Sequence, residues 1–220
     1  MAARQPVLDK TDLFGTLPPD LLEELRGRTA LAKFRRGETI FHQGDPARHL
    51  YVVFSGRVAI AAQAADGRES VVAVLGPGAL FGEMSLFDGG RRSADARALT
   101  TVHLISVDFD DVRDVLRARP EVLWAVVRIL ARRLRATDEA LADAMFLDVT
   151  GRTAKRLLEL AGEEDEFSLP ITQEELAGMV GASRERVNKA IASFVRLGWI
   201  EQSDRRYRIT NREQLALRAR

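Results

Sequence analysis

The string Gly82-Glu83-Met84-Ser85-Leu86-Phe87-Asp88-Gly89-Gly90-Arg91-Arg92-Ser93-Ala94 holds the densest set of groups able to grip an anion. A Gly-Glu pair opens a short turn of helix there, whose first backbone N–H groups lack intrahelical partners. Gly82 has no Cβ to block close approach, and Arg92 and Ser93 offer a guanidinium and a hydroxyl to phosphate oxygens. Glu83 can accept from a sugar hydroxyl. Alone, a Gly-Glu or an Arg-Ser pair is a weak signal, and Arg92 could instead pair with Asp88 or Asp95 at the surface. The combined string is far more specific.

Other chemistries find little support. The chain has no cysteine, which removes disulfides, thiolate zinc sites, Cys nucleophiles and cysteine-ligated iron–sulfur clusters. His42, His49 and His103 have no motif spacing, so no metal is expected, and no nucleophile with a paired base stands out to make an enzyme. No apolar run approaches the roughly 20 residues a membrane span needs, and the N-terminus lacks the apolar segment of a signal peptide. A cytoplasmic protein with no membrane partner is expected. The net charge of +1 makes nucleic-acid binding a matter of local clustering, and from Arg184 onward ten Lys or Arg face four Asp or Glu.

The cradle has to be held by something. Residues 6–34 read as a helical lead-in, with Pro18 and Pro19 opening a helix. Nine of the sixteen glycines then fall between Gly37 and Gly90, among short β-type runs. Residues 50–54, 57–62, 70–75 and 101–107 read as strands, with hairpin turns at Ser55-Gly56 and Asp66-Gly67. The expected fold class is α+β, beginning with an antiparallel β-roll.

From Pro120 to Met145 there is no internal Gly or Pro, which predicts one long helix. Leu123, Val127, Leu130, Leu134, Leu141 and Met145 recur in alternating four- and three-residue steps, the spacing of a coiled-coil seam. Thr137 interrupts that seam, where a buried hydroxyl must find a partner. It either sets register or meets something polar between two copies of the helix. Arg132, Arg133 and Arg135 read as a solvated face.

Beyond a joint at 146–150, a helix is expected over 152–161, then an acidic loop at 162–165. Thr172-Gln173-Glu174-Glu175 satisfies a capping box, and Gly181 ends the helix it opens. Ser183 caps a second helix with Val187, Ala190, Ile191 and Phe194 on one face. Two short helices crossing at Ala177 and plugged by Val187 read as a helix-turn-helix, the alternative being a generic helical hairpin. Arg184, Glu185 and Lys189 lie on the exposed face, where Arg reads guanine and Glu accepts from cytosine. Residues 199–202 and 206–209 flank a wing, with Arg205 and Arg206 placed to touch phosphates.

Taken together, these strings resemble the cyclic AMP receptor protein (CRP/FNR) family of transcription regulators, with features similar to its actinobacterial members. The resemblance implies three blocks: a cyclic-nucleotide-binding roll over 1–119, a dimerisation helix over 120–146 and a winged helix-turn-helix over 147–220. It implies cyclic AMP as allosteric ligand, with Gly82, Glu83, Arg92 and Ser93 contacting ribose and cyclic phosphate and Met84 and Ser85 lining the turn. Thr137 matches the family's long-helix Thr that meets the adenine amino group, with Asp138 beside it. Thr172, Ser183, Arg184, Glu185, Lys189, Arg205 and Arg206 form the expected DNA-contacting set, on a GTGA-type palindrome bound by a homodimer. RNA polymerase is the further partner implied, although the loop at 162–165 is shorter than the segment bearing the enteric contact surface, which is not carried over.

Two departures affect specificity. Asp138 stands where the enteric pattern has Ser, adding negative charge near an anionic ligand and leaving room for cyclic GMP, a cyclic dinucleotide or no ligand. Lys189 replaces an Arg, and its point charge reads a base less strictly. A cyclic-nucleotide regulatory subunit of an enzyme is the more distant rival, opposed by the helix-turn-helix.

Overall fold

The structure, a computed structural model, describes residues 8–11, 13–63, 69–169, 171–203 and 206–220. The expected Asp66-Gly67 turn and the wing-tip Arg205 lie outside the described residues. Two compact units emerge, one of residues up to 135 apart from 69–71, the other of 69–71 with 136–220. The long helix is divided between them.

Among the described residues, the first unit holds helix α1 (Pro19–Arg28), eight strands, one of which has its first three residues assigned to the other unit, and two further short helices. The strands are β1 (Ala30–Phe34), β2 (Thr39–Phe41), β3 (His49–Ser55), β4 (Val58–Gln63), β5 (Glu69–Leu75), β6 (Leu80–Phe81), β7 (Asp95–Ala98) and β8 (Val102–Asp108). They form two four-stranded sheets, β1-β8-β3-β6 and β2-β7-β4-β5. Period-two alternation explains why β3 and β8 are apolar on both faces. Val53, Val102 and Leu104 join one core cluster with Val58 and Ala96 of the second sheet, while Leu50, Val52, Ile105 and Val107 join another with Leu22, Leu25 and Phe109 of the helices.

Two expectations need correction here. Residues 30–34 are not helical lead-in but an edge strand, paired from Ala30↔Ser106 to Phe34↔Val102. Ala-Leu-Ala favours a helix, yet Thr29 is already extended at ψ 148° and the open edge of β8 offers a ladder, so tertiary pairing overrides propensity. Ser55-Gly56 is a tight turn with Gly56 at φ 88°, but β3 and β4 belong to different sheets, so it is a sheet-to-sheet crossing rather than a hairpin. Helix α3 (Phe109–Ala118), capped by Asp108 through the Asp110 N–H, has no counterpart in the sequence reading. Between β6 and β7 sits helix α2 (Met84–Asp88).

The long stretch begins with a 3₁₀ turn over Pro120–Val122 and continues as α4 (Leu123–Phe146). Val122, Ala125 and Val126 pack into the core beneath α1 and α3. The predicted seam faces outward: Leu123, Val127, Leu134, Leu141 and Met145 are 45–70% exposed.

In the second unit, α5 (Val149–Ala161) starts three residues earlier than expected, because Asp148 rather than a later residue caps it, accepting from the Gly151 N–H at 2.8 Å. Strand β9 (Glu166–Ser168) follows, then α6 (Gln173–Val180) and α7 (Arg184–Arg196). Strands β10 (Ile200–Ser203) and β11 (Arg206–Ile209) join β9 in the order β10-β11-β9. A last helix, α8 (Arg212–Arg218), was also unforeseen. Leu157, Leu176, Ala177, Val187, Ile191 and Phe194 form a buried core, and Gly181 makes the turn at φ 67°. Val187 is fully buried and Ala177 nearly so, the arrangement expected of a helix-turn-helix.

Candidate functional site

Strand β6 delivers the chain to Gly82 at φ 78°, a left-handed conformation that favours glycine. Space requires glycine as well, since a Cβ there would lie 2.6 Å from Arg92 Nη1. Arg92 is folded into this corner and only 5% exposed. Its Nη1 donates to the Gly82 carbonyl at 2.7 Å and its Nη2 to the His49 carbonyl at 2.7 Å. The guanidinium lies over the Phe41 ring, 4.1 Å from its centroid. Asp88 and Asp95, the alternative partners, are occupied by the N–H groups of Gly90 and Gln43. Burial lowers the Arg92 pKa, opposed by Tyr51, Asp45 and Glu83. A buried cation tied to carbonyls is an incomplete arrangement, and its Nε is also without a hydrogen bond.

Glu83 is 2% exposed and pairs through Oε1 with Arg133 of α4, which also donates from Nη2 to the Leu80 carbonyl at 2.6 Å. Its Oε2 is buried without a hydrogen-bond partner. Burial pushes the Glu83 carboxyl above the usual range, opposed chiefly by Arg133. Arg133 therefore departs from the expected solvated face. Its pairing spans fifty positions, and the only sequence signal was its place one helical turn before Thr137. Ser93 Oγ lies 3.5 Å from Met84 Sδ, and Ser85 is buried in the turn. Gly82, Glu83, Met84, Ser85, Arg92 and Ser93 are thus gathered at one corner of the roll. Thr137 and Asp138 lie on the half of α4 assigned to the other unit.

Arg133→Met tests the pair. Stability of the first unit should fall by about 2 kcal/mol at neutral pH, below the full cost of breaking a buried pair because Arg133 is 40% exposed. A group whose folded pKa is raised adds stability below its unfolded pKa and loses it as pH rises through the folded one. The deficit should therefore narrow on acidification, as the protonated carboxyl stops needing a countercharge. Melting curves of both proteins from mildly acid to neutral pH read this directly; a deficit independent of pH contradicts it.

On the second unit the capping box is complete: Thr172 Oγ1 accepts from the Glu175 N–H at 3.1 Å, and Glu175 Oε2 accepts from the Thr172 N–H at 2.7 Å. Thr172→Ala should destabilise this unit by about 1 kcal/mol, measurable by denaturant unfolding. Ser183 caps α7 through the Arg186 N–H at 3.4 Å. Arg184, Glu185 and Lys189 are exposed on α7, but Glu185 and Lys189 are joined at 2.7 Å, a hydrogen bond that lowers the Glu185 pKa. Arg206 is exposed on β11. Tyr207 beside it is buried and receives a hydrogen bond from Gln173 Nε2 at 2.7 Å, fixing the wing to α6. A groove of about 260 Å³ between the start of α5 and α7, lined by Asp148, Thr150, Arg186, Lys189 and Ser193, went unnoticed in the sequence because its walls lie some forty residues apart.

Known proteins show the same two parts. A family model described as a cyclic nucleotide-binding domain matches residues 31–119, and one described as a Crp-like helix-turn-helix domain matches 151–218. The CRP-like cAMP-activated global transcriptional regulator of Mycobacterium tuberculosis is 42% identical over 97% of this chain and 99% of its own. The catabolite activator protein of Thermus thermophilus is 33% identical, with a TM-score of 0.56 covering 95% of this chain and 98% of that one. The c-di-GMP responsive global regulator CLP of Xanthomonas campestris is 27% identical, with a TM-score of 0.75 over 87% and 99%. With a nucleotide cradle on one unit, a winged helix-turn-helix on the other and relatives along its whole length, this chain belongs to the CRP family of transcriptional regulators.

Proposed function

We propose that the chain is a homodimeric, sequence-specific DNA-binding regulator controlled allosterically by cyclic AMP. The observation that carries this is Arg92, a buried cation held by two carbonyls beside a glycine that cannot carry a Cβ. The cyclic phosphate supplies the missing anion, received by Arg92 and Ser93, with the backbone at Gly82, Met84 and Ser85 shaping the turn. The orphan Glu83 Oε2 accepts from the ribose hydroxyl. The exposed apolar stripe of α4 packs on a second copy, where Thr137 and Asp138 meet the adenine edge.

Ligand can favour DNA binding only by binding the DNA-competent arrangement better than the alternative. In that arrangement two copies of α7 lie about 34 to 36 Å apart and enter successive major grooves of a GTGA-type palindrome. Arg184 and Glu185 read base edges, Lys189 reads less strictly, and Thr172, Ser183, Arg205 and Arg206 position the backbone. A cytoplasmic protein whose bound form engages RNA polymerase completes this reading.

Asp138 supports a second reading, because a carboxylate accepts from a guanine edge as readily as from an adenine amino group. Calorimetry with cyclic AMP, cyclic GMP and cyclic di-GMP, followed by DNA-shift titration at stated salt, separates the two. No heat with concentrated cyclic AMP sinks the leading version. Failure to shift any palindrome even with ligand returns the chain to a regulatory-subunit role.

A further inference from the structure

Helix α8 runs back along α5 and is fastened at both ends. At its start Arg212 donates to the carbonyls of Gly162 and Glu164, each at 2.8 Å, and to the Asp165 carboxylate at 3.1 Å, all just past the C-terminus of α5. Leu215 in its middle is fully buried. At its end Arg218 reaches the opposite end of α5, where its Nη2 contacts both carboxylate oxygens of Asp148, Oδ1 at 2.5 Å. Gly151 permits this closure, since a Cβ there would lie 3.0 Å from both the Nη1 and the carbonyl oxygen of Arg218.

Asp148 thus has two tasks. It caps α5 through the Gly151 N–H, and it forms a wall of the groove shared with Arg186 and Lys189. A carboxylate in that position is both a good helix cap and a poor neighbour for DNA. Left alone, it would draw Arg186 toward itself and repel an approaching phosphate. The Gly151 N–H and then Arg218 hold its carboxyl below the ordinary range, so it is ionised at neutral pH and the competition is real.

We propose that Arg218 is a positioning residue for DNA binding: by occupying Asp148 it leaves Arg186, the groove cation not already paired as Lys189 is with Glu185, available to backbone phosphates. The C-terminal helix is the arm that carries this countercharge to the joint between α4 and α5. The inference rests on the reading of α7 as the helix that docks on DNA, and it concerns phosphates rather than bases. It is therefore read on duplexes with and without the GTGA-type palindrome.

The test measures dissociation constants by fluorescence anisotropy for the full-length protein with saturating cyclic AMP at two stated salt concentrations, with thermal unfolding of each variant alongside. Arg218→Ala should bind both duplexes about fivefold more weakly, the size expected of one exposed charge pair. Asp148→Asn keeps a capping oxygen while removing the competitor, so the double variant should return to within about twofold of the natural protein. Arg218→Lys, which keeps the charge, should stay close to it as well. A double variant as weak as Arg218→Ala overturns the proposal, since the arm would then act through packing. So does Arg218→Ala binding like the natural chain. If the natural chain binds neither duplex, the reading of α7 fails and takes this inference with it.

Discussion

Replacing Arg92 with methionine should weaken cyclic AMP binding by about 2 to 5 kcal/mol, roughly 30- to 5,000-fold, the range for truncating one side of a buried charge pair. Methionine fills similar volume, so the Phe41 ring keeps a neighbour while the guanidinium and its two donated bonds disappear. The carbonyls of Gly82 and His49 lose their partners, which costs stability. Removal of a buried cation whose burial already opposes its charge works the other way. The first unit should therefore remain folded, and the loss should appear in calorimetric affinity far more than in melting temperature. Near-natural affinity in a folded Arg92→Met protein would mean that the phosphate is held elsewhere.

The second large effect belongs to Arg184. It stands at the first position of α7, exposed. A bidentate contact from such a residue to guanine N7 and O6 contributes about 1 to 3 kcal/mol of discrimination. A dimer on a palindrome uses it twice, so Arg184→Ala should cost about 2 to 6 kcal/mol of specific affinity. Non-specific binding should fall much less, because it depends on phosphate contacts and counterion release. Competition titrations of the palindrome against random duplex measure this ratio. Equal losses on both would make Arg184 a phosphate anchor rather than a base reader.

What could be read in advance was what local backbone chemistry dictates. Gly82 lacks the Cβ that would block close approach, Thr172 and Glu175 close their box within four residues, and Gly181 ends the helix before it. Such features stand in the string itself. Long-range partnerships do not: the Glu83–Arg133 pair, the Asp148–Arg218 pair and the groove at Arg186 each join residues that only the fold brings together. Strands were hardest where their sequence lacked β character, as in Asp95–Ala98, a short run without β-branched or aromatic residues that its neighbours β2 and β4 hold in place. Turn chemistry likewise located Ser55-Gly56 without revealing that the chain changes sheets there.

The bond between Glu185 and Lys189 bears on how the protein would search a genome. Each side chain satisfies the other while the helix slides over unrelated sequence, so these two charges cancel and only the neighbouring Arg184 and Arg186 keep the face drawn to phosphates. Opening it is recompensed only where a cytosine amino group and a matching acceptor stand opposite, and a mismatched stretch gives nothing back. Fast scanning and late commitment would then arise from one small closed clasp on the tip of a helix.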